Sequence, residues 1–136
     1  MYADFYLCTD LFLKIPDFQS PYTRMKQVLR WYMSTFRSCR KNSLAKKPYN
    51  PILGEIFECW YNTSPTETQG TCENKLKFIA EQVSHHPPIS AFYLEHINKR
   101  IQLEGYSWTK SNFMGYYASI VTIGQSQLTL LGLILN

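Results

Sequence analysis

The sequence has 136 residues, 45% of them hydrophobic and 18% charged, a balance that fits one folded domain and excludes a disordered or low-complexity chain. Its net charge of +4 is unevenly placed: Arg24 to Lys47 holds eight basic residues and no acidic one, whereas residues 48–136 hold seven Glu against five Lys or Arg. An anionic partner would therefore meet one region of the chain, and a generally basic, nucleic-acid-coating surface is excluded.

At the N-terminus, Asp4 and Asp10 stand where a secretory leader would carry basic residues, so no signal peptide is expected. Residues 20–41 predict a helix. Ser20 can cap it, and Pro21 suits the first helical position. Tyr22, Met25, Val28, Leu29, Tyr32, Met33 and Phe36 recur at three- and four-residue steps and predict a core-facing stripe. Lys26, Arg30, Arg37 and Lys41 fall on a neighbouring basic face, and Trp31 lies off the stripe.

After Pro51 the pattern turns to short runs rich in aromatic and β-branched residues: ILGEIFECWYN, LKFIAEQV, ISAFYLEHI, IQLEGYSW, GYYASIVTI and LTLLGLIL. Turn-forming stretches separate several of them, notably HINKR, TKSN and GQSQ. The links are too short for helical crossovers, so six strands in antiparallel meander order are predicted. The fold class is a β-rich α+β. Several strands are apolar on both faces, as in the wall of a barrel. The most apolar run, LTLLGLILN, is too short to cross a bilayer.

Two stretches carry candidate binding chemistry. In EQVSHHPPIS, His85 and His86 run into Pro87, which lacks an N–H and ends ladder pairing. The strand is expected to stop there and present both imidazoles at a rim. Neutral imidazoles donate one N–H each and protonated ones add charge, which suits a phosphate. In KKPYNPILGEIF, Lys47 and Asn50 each precede a proline and have restricted backbones. A stiff loop holding an ammonium and an amide also suits a phosphate. Gly54 reads as a bulge or a close backbone approach.

Catalytic and metal-binding signals are weak. The four cysteines (Cys8, Cys39, Cys59, Cys72) have no CxxC spacing, and two neighbouring histidines rarely complete a tetrahedral site. No nucleophile-elbow, P-loop or zinc-protease pattern occurs. No catalytic residue, metal or cofactor is expected, and a Cys/His hydrolase is the least supported reading.

EQVSHHPPISAF resembles the signature of the oxysterol-binding-protein-related family. KKPYNPILGEIF resembles a second block of that family, upstream by about the expected interval, and RMKQVLRWYMSTF stands where the family has a helix. The resemblance runs from about Met1 to Ile123 and leaves residues 124–136 unmatched. It implies that residues 1–136 form part of a lipid-binding domain, an incomplete β-barrel around a lipid tunnel, with the lid region and C-terminal half absent. Members carry one lipid at a time between membranes, and many exchange phosphatidylinositol 4-phosphate for a sterol or phosphatidylserine. Lys47, Asn50, His85 and His86 are then the headgroup-binding positions. The resemblance further implies a cytoplasmic protein, peripheral at endoplasmic reticulum, Golgi or endosomal contact sites. The alternative reading is a docking module whose basic helix (Lys26, Arg30, Arg37, Lys41) rests on an anionic membrane without extracting lipid.

Overall fold

A computed structural model describes residues 8–38, 49–63 and 74–132. Two helices, α1 (Thr9–Leu13) and α2 (Pro21–Ser38), precede five strands: β1 (Ile56–Asn62), β2 (Lys75–Ser84), β3 (Ile89–His96), β4 (Ile101–Phe113) and β5 (Ala118–Leu130). The strands form one antiparallel sheet in the order β1-β2-β3-β4-β5, so β1 and β5 are its edges among the described residues. The expected α+β meander is present, as an open sheet.

Successive strand residues point to opposite faces, and the register turns that alternation into two distinct surfaces. On one face Cys59, Phe78, Leu94, Leu103 and Leu128 lie side by side across all five strands. This face meets Phe12, Leu13 and Ile15 from the α1 segment and Trp31 from α2 in a single core. Phe12, Ile15, Leu76, Phe78, Leu94 and Ile101 are fully buried. On the opposite face Ile79, Tyr93, Glu104 and Gln127 are aligned across β2 to β5.

Two sequence expectations are corrected. Five strands are present among the described residues, because GYYASIVTI and the start of LTLLGLIL fall in one strand, the 13-residue β5. The predicted turns TKSN and GQSQ lie inside β4 and β5, whose pairing runs unbroken from Ile101↔Leu130 to Phe113↔Ala118. Gly105 and Gly124 allow this close pairing. A Cβ on Gly105 would strike the Gln125 carbonyl oxygen and come within 2.8 Å of Ser126 Cα.

The second correction concerns α2. Most of its expected core stripe faces outward, with Tyr22, Met25, Leu29, Tyr32, Met33 and Phe36 between 52% and 68% exposed, while Val28 alone of that stripe packs against the core. The buried face carries Gln27, Trp31 and Thr35 instead. Trp31 packs on Phe12 at 5.1 Å between ring centroids. Gln27 Nε2 donates to the Leu11 carbonyl at 2.8 Å, fastening α2 to α1. Hydropathy ranks positions by side chain, but the surface offered by α1 has an open carbonyl and an aromatic ring, which an amide and an indole match better than aliphatic groups.

Candidate functional site

β2 ends at Ser84, and His85 to Pro88 form the turn into β3. The strand stops where the prolines dictate, so the two imidazoles are freed from strand alternation. Their rings sit 4.6 Å apart, edge to face at 73°, and the His86–Pro87 peptide is cis. His86 is exposed, whereas His85 is half-buried. His85 Nδ1 is itself buried and has no hydrogen-bond partner among the described residues. A buried ring nitrogen of that kind is costly unless something else satisfies it.

The second block is brought to the same end of the sheet. Ile52 to Glu55 form a turn in which the Glu55 N–H donates to the Ile52 carbonyl and the Ile52 N–H donates to Glu55 Oε2, both at 3.0 Å. Gly54 sits here at φ +79°, and nothing lies within 4 Å of the place its Cβ would occupy. Its role is thus the left-handed turn, where the sequence suggested a bulge or a close approach. The Gly54 N–H donates to the Gln82 carbonyl at 2.8 Å, and the Gln82 N–H donates to the Glu55 carbonyl at 3.0 Å. Asn50, exposed, lies four residues before Gly54. Lys47 lies outside the described residues.

Gln82 is the residue that joins the two blocks, and sequence reasoning did not single it out. It is 2% exposed, at a core-facing position continuing Leu76, Phe78 and Ala80. Its Nε2 donates to the Ser84 carbonyl at 2.9 Å, and its Oε1 accepts from Ser90 Oγ at 2.5 Å. The β2–β3 register shifts between Gln82 and Ser84, and the amide closes that bulge at the base of the histidine turn. The signal available in the sequence was a polar residue at the core period of an otherwise apolar strand face.

Beside the turn, the open face of the sheet carries a depression of about 770 Å³ that includes Val83, Ile89, Ile79, Tyr93 and Tyr106 in its lining. A smaller cavity of about 410 Å³, lined in part by Asp10, Lys14, Asp17, His96 and Lys99, lies between the α1 segment and the β3–β4 turn. The Lys99 N–H donates to His96 Nδ1 at 3.1 Å, and Lys99 Nζ pairs with Asp17 at 2.6 Å. Burial, followed by the Lys99 charge, holds the His96 imidazole below its ordinary pKa. Of the four basic positions expected on the helix, Lys26 and Arg30 are exposed on α2 and Arg37 is in its last turn. Lys41 lies outside the described residues. No group of three or more metal-ligating side chains occurs among the described residues. No helix among them is long and apolar enough to cross a membrane.

Comparison with known proteins gives one consistent result. A family model described as oxysterol-binding protein matches residues 1–133, ten residues further than the motifs suggested. Human oxysterol-binding protein-related protein 9 is 51% identical over 137 residues, covering 92% of this chain and 18% of that protein. Human oxysterol-binding protein-related protein 10 is 40% identical over 151 residues, covering 96% and 20%. Among solved structures, the Osh1 ORD domain in complex with ergosterol superposes with a TM-score of 0.75 at 31% identity, covering 96% of this chain and 28% of that one. The Osh3 ORD from Saccharomyces cerevisiae, solved with PI(4)P, gives 0.62 at 22% identity, covering 95% and 31%, a likeness of fold alone. The chain thus spans about a fifth of the length of these curated relatives.

Proposed function

The chain belongs to the oxysterol-binding protein family, and from that premise we propose that it binds a membrane lipid by its phosphorylated headgroup, as part of a domain that carries lipid between membranes. The observation that carries this reading is the pair of imidazoles brought together at the turn, with rings 4.6 Å apart and His86 exposed. A phosphate oxygen is an acceptor for both imidazoles, and hydrogen bonds to a charged group are worth about 1.5–3 kcal/mol each.

Phosphatidylinositol 4-phosphate is the proposed headgroup. The 4-phosphate is a dianionic group that an imidazole pair, the Asn50 amide and the Lys47 ammonium can surround. Asn50 and Lys47 precede the Ile52–Glu55 turn, which Gln82 ties to the base of the histidine turn. A sterol or phosphatidylserine is the proposed counter-cargo, and the place of action is the cytosolic side of organelle membranes. No bond is made or broken in such a step, so the chain acts as a carrier and not as an enzyme.

Extraction of labelled phosphatidylinositol 4-phosphate from liposomes tests the reading, using the chain and its His85→Ala/His86→Ala variant. The loss of each charge-assisted bond is expected to weaken extraction at least about tenfold. Equal extraction by a variant that melts at the same temperature as the wild type would remove the headgroup assignment.

A further inference from the structure

The histidine turn has few means of holding itself in place. Pro87 and Pro88 carry no N–H, so two of the turn's four residues donate no backbone hydrogen bond. The ladder beside it is also interrupted. Gln82 stands opposite Ser90 and Ser84 opposite Ile89, which leaves Val83 as the extra residue of a bulge. Imidazoles on an unsupported turn must be ordered when a ligand binds, and that ordering subtracts from affinity.

The support comes from one buried amide and one buried hydroxyl. Gln82 Nε2 donates to the carbonyl of Ser84, the residue before His85, and Gln82 Oε1 accepts from the hydroxyl of Ser90, two residues after Pro88. The amide therefore straps both feet of the turn. Gln82 is 2% exposed and Ser90 4%, so the described residues themselves enclose both groups. The Gln82 backbone meanwhile holds the Gly54–Glu55 turn through its N–H and its carbonyl.

The choice of glutamine is chemically narrow. The strap needs a donor for a carbonyl and an acceptor for a hydroxyl on one side chain, which an amide supplies and a carboxylate or a thioether does not. The sheet has no such need. The position continues the Leu76, Phe78 and Ala80 face of β2, where an apolar residue would be buried without polar cost. Both amide bonds go to residues flanking the turn, so the polar group serves the turn.

We propose that Gln82, with Ser90 as its partner, is a positioning residue for phosphate recognition, fixing where His85 and His86 stand relative to the Asn50 segment without touching the phosphate. The proposal rests on the headgroup reading above.

The experiment compares extraction of labelled phosphatidylinositol 4-phosphate from liposomes, with a thermal melt of each variant. Gln82→Met keeps the length and removes both bonds, and it should weaken extraction about tenfold, the order of one hydrogen bond to a charged group. Ser90→Ala should also weaken it, whereas Ser90→Thr keeps the hydroxyl and should extract as the wild type does; this pair carries the comparison if Gln82→Met does not fold. Ile101→Val is the stability control. Ile101 is fully buried opposite His96, at the other end of β3 from the histidine turn, so its truncation should lower Tm and leave extraction unchanged. Wild-type extraction by Gln82→Met, or an equal loss in Ile101→Val, would overturn the proposal. The imidazole 15N signals of the ligand-free chain separate the two readings. Gln82→Met and Ser90→Ala should move the ring signals of both His85 and His86, and Ile101→Val should leave them in place. If those signals move while His85→Ala/His86→Ala extracts as the wild type does, the headgroup reading fails and the hold of Gln82 on the imidazoles stands. If they do not move, the positioning role fails whatever the extraction shows.

Discussion

Replacing Trp31 by alanine tests which face of α2 is inside. Trp31 is 5% exposed and stacks on Phe12, itself fully buried, so truncation removes an indole from the junction of both helices and the sheet. Trp→Ala in such a position costs about 3–5 kcal/mol. With an unfolding entropy of about 2.1 cal/mol/K per residue over the chain, that loss lowers Tm by about 10–17 °C. Leu29→Ala is the matched control on the same helix. Leu29 is 59% exposed, so its truncation is expected to stay within about 0.5 kcal/mol. Urea unfolding followed by far-UV circular dichroism compares the two without depending on tryptophan emission. If Leu29→Ala cost more than Trp31→Ala, α2 would be rotated with its aliphatic stripe inward. The core assignment would then fall.

Two further predictions concern the sheet and the small cavity. Gly105→Ala should destabilise by about 1–3 kcal/mol, because its Cβ would meet backbone atoms of β5 and not the end of a flexible side chain; a thermal melt unchanged from wild type would refute the tight β4–β5 crossing. His96 gives a pH dependence whose sign follows from its lowered pKa. The unfolded chain takes up a proton near pH 6.5 while the folded chain resists it, so the stabilising contribution is complete above about 6.5 and is lost as pH falls through the lower folded value. The slope in that window is at most about 1.4 kcal/mol per pH unit. Asp17 and Lys99 face the same cavity, and the Lys99 N–H loses its acceptor when Nδ1 is protonated. Urea midpoints measured down to about pH 5 should fall for the wild type and stay flatter for His96→Gln; parallel profiles would place the acid sensitivity elsewhere.

Where the chain reverses direction at proline or at asparagine, the sequence was readable. The SHHPP and HINKR stretches became the turns His85–Pro88 and Ile97–Arg100, and the antiparallel meander followed from them. Turn-forming residues were misleading inside β4 and β5, because such residues bend the chain only when no partner strand holds them straight. Ser107 and Gly124, or Tyr106 and Gln125, are such held pairs. The rotation of α2 was hidden for a similar reason. Periodicity locates an apolar face but does not say which surface the helix will meet, and the acceptor at Leu11 and the ring of Phe12 come from a segment some twenty residues away. The α1 helix, five residues long, is too short to leave a periodic signal.

The candidate site divides along the same line. The position of the histidine pair at a strand end was legible because Pro87 and Pro88 cannot continue the ladder. The assembly of the site was not, because that depends on Gln82, whose side chain spans a bulge and whose backbone binds the Gly54–Glu55 turn. A residue with this role acts through others, so loss of its amide should loosen the position of His85 relative to the Asn50 segment without touching a headgroup. Helix α2 is held differently. Its attachment runs through Gln27 and Trp31 to α1 and the core and not through Gln82. The proposed headgroup positions and helix α2 are therefore held in place by separate sets of side chains. Loss of extraction in the histidine variant, with α2 still packed through Gln27 and Trp31, would therefore speak to the proposed headgroup contact and not to the helix.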